Sequence, residues 1–293
     1  MTIPFYKLQL AGNGFILVDL GAFPKDGKAP EADRYGELAR TLCDRRYGIG
    51  ATGAIFLARD NTIRVFGAQG QASPEADDAF LCAARFAFDS GRIAGKAIAF
   101  KTPHGERKLD VLGAHEFRLS LGSPFSLLTG AVIEDGMKNV AETIERDGVR
   151  ASYSAIHVHD DAVVAFPGTE GILSYSSFNA LIQKAFPAKP VLPVIARAIT
   201  RETILVRSLP KRESGACTAA AAALVAGKLE GAADGEAIVI FEPTGTDGQP
   251  DDAIARDRDN SRRLAASWDA KANELSVIGS GGYLFEGKFD VSD

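Results

Sequence analysis

Residues 213–226 read Glu213-Ser214-Gly215-Ala216-Cys217-Thr218-Ala219-Ala220-Ala221-Ala222-Ala223-Leu224-Val225-Ala226. A polar loop, Leu209 to Ala216, here gives way to a cysteine and a nearly all-alanine run. Alanine is the best helix former, so a helix is expected from about Cys217 to Ala226. Small side chains on every face also let a helix fit where strands crowd it on several sides. That points to a helix through the middle of a curled sheet, its N-terminus aimed at a shared cleft. Cys217 would sit at that N-terminus, where unpaired N–H groups and the helix dipole stabilise an anion, with Lys211 and Arg212 close by. A thiol so placed ionises readily and can act as a base on a carbon acid. The same position equally suits a small buried cysteine filling core.

Outward from this helix, apolar periodicity and breaker residues divide the chain into two halves of similar plan. The first opens with strands at Phe5 to Leu8 and Phe15 to Val18 around a turn at residues 11–14. A helix from about Tyr35 to Cys43 follows, then strands at Ala54 to Ala58 and Ile63 to Phe66. A second helix is expected from about Glu75 to Ser90, then strands at Ala97 to Lys101, Lys108 to Leu112 and Phe117 to Leu121. In the second half, Ile156 to Phe166 has strand character, Tyr175 to Ala185 looks helical, and Val191 to Ala198 and Thr203 to Val206 look like strands. Cys82-Ala83-Ala84 leading to Gly91 resembles Cys217-Thr218-Ala219 leading to Gly227, which suggests a duplicated lobe rather than a solenoid. Gly248 to Arg263, with its alternating Asp and Arg, reads as a solvated excursion.

The bulk numbers narrow the function classes. With 293 residues, 46% hydrophobic and 24% charged, the chain has room for two soluble globular domains. A net charge of -5 and the lack of any Lys/Arg-rich block leave no footprint for nucleic acid. No secretory signal is expected at Met1-Thr2-Ile3-Pro4, and no apolar run reaches the roughly 18–20 residues of a membrane helix. Cys43, Cys82 and Cys217 are widely spaced, with no CxxC pair and no Cys/His cluster. Neither a disulfide framework nor a metal site is indicated, and a reducing cytoplasm fits best.

Gly48-x-Gly50-x-x-Gly53 has the letters of a dinucleotide fingerprint, but that motif needs a strand before it and a helix after it. Here the order is reversed, and a glycine hinge between helix and strand is the expectation. Cys82 lies inside an apolar helix and Cys43 near a helix end, so both read as structural. His104 and His115 read as surface loop residues. His157 and His159, two apart on one expected strand, would share a face that either lines a cleft or meets water.

Several strings then resemble one family in order along most of the chain. Lys7-Leu8-Gln9-Leu10-Ala11-Gly12-Asn13-Gly14-Phe15-Ile16-Leu17-Val18-Asp19 resembles the opening K-M-x-G-x-G-N-D-F-x-x-x-D of diaminopimelate epimerases. Residues 42–53 resemble L-x-D-R-x-x-G-I-G-A-D-G, Glu213 to Thr218 resembles E-T-x-A-C-G, and Gly279 to Gly287 resembles G-P-A-x-x-V-F-x-G. The resemblance implies an α/β (α+β) fold of two pseudo-symmetric lobes, each a curled, mostly antiparallel sheet around a central helix. The lobes would be residues 1–124 with 278–293 and residues 125–277, with the active site in the cleft between them. It implies cofactor-free epimerisation, one thiolate removing an α-proton while a second thiol reprotonates the opposite face, without pyridoxal phosphate.

The chain departs from the family at the first thiol. C-G-N-G is replaced by Ala76-Asp77-Asp78-Ala79, a register that sets Ala76 opposite Cys217. The resemblance makes Cys217 the base and Asp77, Asp78 or His159 the opposite-face acid. Asn13 and Glu213 carry over as substrate-binding residues, Arg212 or Lys211 stands for the family's arginine, and Thr218 replaces the turn that contacts a substrate carboxylate. The expected partner is a small carboxylate or amino-acid substrate, with lysine biosynthesis the family's setting and the chain a monomer or homodimer. A one-base lyase or dehydratase, or a catalytically inactive binding homologue, are the rival readings.

Overall fold

In a computed structural model, the described residues are 1–23, 29–73, 76–93, 95–137, 141–146, 149–166, 174–188, 190–208, 215–242 and 262–291. In chain order the main elements are β1 (Thr2–Leu10), β2 (Asn13–Asp19), α1 (Tyr35–Cys43), β3 (Gly53–Leu57), β4 (Ile63–Gly67), α2 (Asp77–Asp89), β5 (Ala97–Thr102), β6 (Gly105–Gly113) and β7 (Glu116–Gly122). There follow β8 (Phe125–Ser126), β9 (Ala141–Arg146), β10 (Val149–His157), β11 (Asp161–Ala165), α3 (Tyr175–Ala185), β12 (Leu192–Thr200) and β13 (Thr203–Arg207). The last are α4 (Gly215–Leu229), β14 (Glu236–Phe241), β15 (Arg263–Asp269), β16 (Glu274–Gly279) and β17 (Gly282–Asp290). The chain divides into two compact units, Met1–Leu119 with Gly279–Asp293, and Ser120–Pro210 with Gly215–Ile278.

In the first unit a five-stranded sheet runs β17-β1-β2-β3-β4. The β1–β2 hairpin turns on Ala11 and Gly12, both at positive φ, the backbone a two-residue hairpin loop requires. β2 and β3 are parallel and joined through α1, whereas β3 and β4 are antiparallel. A single parallel bridge, Thr62 to Lys101, follows the crossover through α2, and β5-β6-β7 form an antiparallel meander. α2 lies against β1, β2 and β3 with Asp77 to Ala84 buried.

The second unit repeats this order. Its sheet runs β16-β15-β14-β13-β12-β11-β10-β8, with β9 pairing β10. Parallel pairs β11/β12 and β13/β14 are bridged by α3 and α4, and the remaining pairs are antiparallel. α4 packs against β10 to β15, and every residue from Gly215 to Gly227 is buried. Alanine therefore serves as packing here, because strands approach this helix on all sides. The fold is mixed α+β, mostly sheet, with sheets that do not close.

An offset of 140 residues recurs at several elements and makes the duplication concrete. It relates the first residues of α1 and α3, Tyr35 and Tyr175, and both ends of β4 and β13. It also relates the C-terminal bonds of α2 and α4. Ser90, Gly91 and Arg92 N–H donate to the carbonyls of Phe86, Phe88 and Ala87, while Glu230, Gly231 and Ala232 donate to Ala226, Lys228 and Gly227. Gly91 and Gly231 both stand at φ +70, the left-handed residue that ends such helices.

The structure corrects four sequence expectations. Gly91 matches Gly231 rather than Gly227, so counting back along the two helices from that match sets Cys82 at Ala222 and Cys217 at Asp77, one residue from the Ala76 that the family resemblance implies. The single strand expected over Ile156 to Phe166 is a hairpin, because Val158 N–H turns back to the Asp160 carbonyl. His159 therefore lies in the turn after β10 and does not share a strand face with His157. The strands β14, β15 and β16 carry no expectation from the sequence, and α4 starts two residues earlier than expected. Residues 248–261 of the expected excursion lie outside the described residues; Arg263 opens β15.

The Gly48 to Gly53 segment is the hinge between helix and strand that its order predicts. Ile49 and Gly50 N–H both donate to the Leu42 carbonyl, capping α1. A Cβ on Gly48 would fall 2.2 Å from the Thr41 carbonyl oxygen, so only glycine fits. Buried Lys7 donates to the Gly50 carbonyl from β1, and burial lowers the pKa of its ammonium.

Candidate active site

Two helix N-termini carry the chemistry-bearing residues. At the first, Asp77 and Asp78 are the opening residues of α2 and are 1% and 0% exposed. Arg107 on β6 donates through Nη2 to Asp77 Oδ1 at 2.9 Å, forming an ion pair whose arginine side chain is 27% exposed. Asn13, fixed as the first residue of β2 by the tight turn, donates through Nδ2 to Asp78 Oδ2 at 2.7 Å. Carboxylates at a helix start meet unpaired N–H groups and the positive end of the dipole, which helps offset their burial.

Cys82 lies one turn further along α2, fully buried. Burial, and then the neighbouring Asp78 carboxylate, push its thiol well above the ordinary range. A Cβ on Gly281 would stand 2.7 Å from the Cys82 Cα, so the closing glycine string packs directly on this helix. Cys82 is thus a core residue, as its apolar surroundings in the sequence imply.

At the second N-terminus, Cys217 is the third residue of α4 and is buried, followed by buried Thr218. The Thr218 hydroxyl has no hydrogen-bond partner among the described residues. An unpaired buried hydroxyl costs about 1–3 kcal/mol, so a ligand oxygen that satisfied it would gain that term. Arg212 and Glu213, expected to bind substrate, lie outside the described residues. His159 is half-buried in the turn after β10; two residues earlier, His157 Nδ1 meets Asp161 Oδ1 at 2.7 Å.

The structure therefore gathers Asn13, Asp77 and Asp78 at one site and sets Cys217 beside Thr218 at the other. Sequence reading missed Arg107. Its neighbours, Glu106 and Lys108, give it the look of one more surface charge, and only the alternation along β6 hints that it turns inward. Among the described residues no group of His, Cys, Asp and Glu side chains is placed to hold a metal ion. No described helix is long and apolar enough to cross a membrane.

No protein-family model matches the chain. Curated relatives nevertheless span its whole length. It is 24% identical to an O-ureido-serine racemase of Streptomyces lavendulae, over 98% of this chain and 96% of that one. It is 23% identical to a diaminopimelate epimerase of Desulforapulum autotrophicum, over 99% and 100%. The chain is thus similar to diaminopimelate epimerases along its length, at low identity. Its fold agrees with that of a hydroxyproline epimerase from Agrobacterium vitis, at TM-score 0.61 and 12% identity, covering 100% of this chain and 93% of that one. The relatives support the racemase and epimerase class of isomerases for this epimerase-like chain.

Proposed function

We propose that the chain interconverts the two hands of a small amino acid by moving the proton on the carbon next to its carboxylate, with the proton-transfer groups supplied by the chain itself. Cys217 is the thiol that exchanges a proton on one face of that carbon. Asp77 replaces the family's second thiol on the other face. The observation that carries this reading is the 140-residue offset, which sets Asp77 at the position of α2 that Cys217 occupies in α4. Asp78, at the Thr218 position, orients Asn13 and the helix start.

In one direction the Asp77 carboxylate accepts the α-proton and the Cys217 thiol delivers one to the opposite face, leaving an aspartic acid and a thiolate. The reverse direction uses those two states. The helix dipole at α4 and the Thr218 hydroxyl favour the substrate carboxylate as negative charge builds on it. A carboxylate in place of a thiol changes the space and charge around the substrate side chain. The preferred substrate is therefore an amino acid other than diaminopimelate, and a role outside lysine biosynthesis follows.

The test is solvent deuterium uptake at the α-carbon of O-ureidoserine and of diaminopimelate, followed by proton NMR with chiral analysis. The wild-type chain is expected to exchange and racemise an amino acid, and Cys217→Ser to lose about 10²–10⁴-fold of that rate. Exchange undiminished in Cys217→Ser would remove this thiol from the mechanism.

A further inference from the structure

Two buried carboxylates open α2, and each is met from a different strand. Ala76, at the N-cap, makes no side-chain bond to the first turn, and the bonds to the next two side chains come from outside the helix. Asp78 accepts from the neutral amide of Asn13 on β2, whereas Asp77 accepts from the guanidinium of Arg107 on β6. Arg107 shares the inward face of β6 with buried Leu109, while Glu106 and Lys108 on either side of it are exposed. Across β5 it stands opposite fully buried Phe100, whose ring stacks on Phe80 of α2 at 6.1 Å.

Phe80 comes three residues after Asp77, so ring and carboxylate share one face of α2. The ring stack seats the β5–β6 pair against this helix, and the register of that pair brings the guanidinium to Asp77. The Asp77 side chain is 1% exposed and that of Arg107 27%, so the arginine is the solvent-facing member of the ion pair. A carboxyl group turns easily about its last bond, and a charged donor fixed on one oxygen restrains that turn. Alignment matters for proton transfer, where a displacement of about 1 Å can cost about 10²-fold in rate.

We propose that Arg107 is a positioning residue: its Nη2 bond to Oδ1 holds the Asp77 carboxyl group in the orientation that proton transfer at the α-carbon requires. This role rests on Asp77 being the proton-transfer group of its face. Arg107 acts through Asp77, so its loss should appear in kcat and leave KM nearly unchanged.

A double-mutant cycle on the full chain tests it, with racemisation rates measured on whichever of O-ureidoserine and diaminopimelate the wild type turns over. Arg107→Met should lower kcat by about 10²-fold and leave KM within about threefold of wild type. Arg107→Gln is measured beside it with the same expectation, so that the comparison stands if the methionine variant fails to fold. Arg107→Lys keeps a charged donor on the strand and should recover about tenfold of the loss. In an Asp77→Asn background either neutral substitution should cost no further rate, to within about twofold, because the group that Arg107 orients is gone. A purely structural arginine would instead lower both backgrounds alike. Circular dichroism and thermal melts establish that each variant is folded. Neutral variants as fast as wild type, a loss confined to KM, a lysine variant no faster than the neutral ones, or equal losses in both backgrounds would each overturn the role. A fully active Asp77→Asn would remove the catalytic reading and this role together, whereas an inactive Asp77→Asn beside fully active neutral Arg107 variants would overturn this role alone.

Discussion

α2 and α4 end identically and begin differently. Their C-terminal hydrogen bonds superpose residue for residue, and each follows a strand and crosses to the next by the same route. Yet α4 is walled by alanine and opens on a thiol and an unpaired hydroxyl, whereas α2 carries Phe80, Leu81 and Phe86 and opens on two buried carboxylates. Duplication thus preserved the scaffold while the chemistry at the two helix starts diverged. The end where each helix stops is constrained by backbone bonding, and the end where it starts has been free to change.

The packing side of this comparison gives the largest expected effects on stability. Phe80→Ala should cost about 3–5 kcal/mol, because it empties a fully buried ring site stacked on Phe100. Ala221→Leu in α4 should cost about 1–3 kcal/mol for the opposite reason, since strands crowd that helix and leave no room for extra methylenes. Urea unfolding of each variant measures both. Equal tolerance of Ala221→Leu and a surface control would show that alanine there reflects helix propensity alone.

Polar groups at the two helix starts should respond in opposite senses. Thr218→Val replaces an unpaired buried hydroxyl with a methyl of the same shape, and should be neutral or stabilising by about 1 kcal/mol while raising KM. Asp77→Ala should instead destabilise by about 1–3 kcal/mol, because Arg107 loses a buried partner while staying partly open to water. Thermal melts with paired kinetics separate the two. A destabilised Thr218→Val would mean that its hydroxyl already has a structural partner.

The smallest effect is a pH limb. Folding holds the Cys82 thiol protonated well above its ordinary range, so the folded chain binds that proton more tightly than the unfolded chain. The stability this contributes is present below about pH 9 and is lost as pH rises beyond it, because only the unfolded state ionises there. Cys82→Ala should flatten the alkaline loss, and Asp78→Asn should shrink it, through removal of the second cause. An alkaline limb unchanged in Cys82→Ala would assign it to another group.

Much of the scaffold was legible in the residues, and the reasons are local. Tyr35–Cys43 and Tyr175–Ala185 show helical spacing that needs no tertiary information, and the alanine run at 219–223 correctly implied a helix enclosed by strands. Where long-range packing decides, sequence reading failed. The Gly227 match looked like a repeat because cysteine-to-glycine spacing is easy to see, whereas the true partner, Gly231, is recognisable only by its φ and its bonds. His159 left the strand because a three-residue turn at 158–160 has no glycine or proline to announce it. Arg107 stayed hidden because an inward-facing arginine on a polar strand has no sequence signature until Asp77 meets it. The string Ala76-Asp77-Asp78-Ala79 did announce a lost thiol, but not that Asp77 falls at the Cys217 position when the two helices are counted back from their matching ends.

The proposed role of Asp77 can be measured directly. Asp77→Asn and Asp78→Asn should be compared with wild type for solvent deuterium uptake at the α-carbon, using whichever of O-ureidoserine and diaminopimelate the wild-type chain exchanges. Correspondence of Asp77 with Cys217 predicts a loss of about 10²–10⁴-fold in Asp77→Asn. Asp78→Asn should retain activity to within about tenfold, since its amide oxygen can still accept from Asn13. An inactive Asp78→Asn beside a fully active Asp77→Asn would contradict the account.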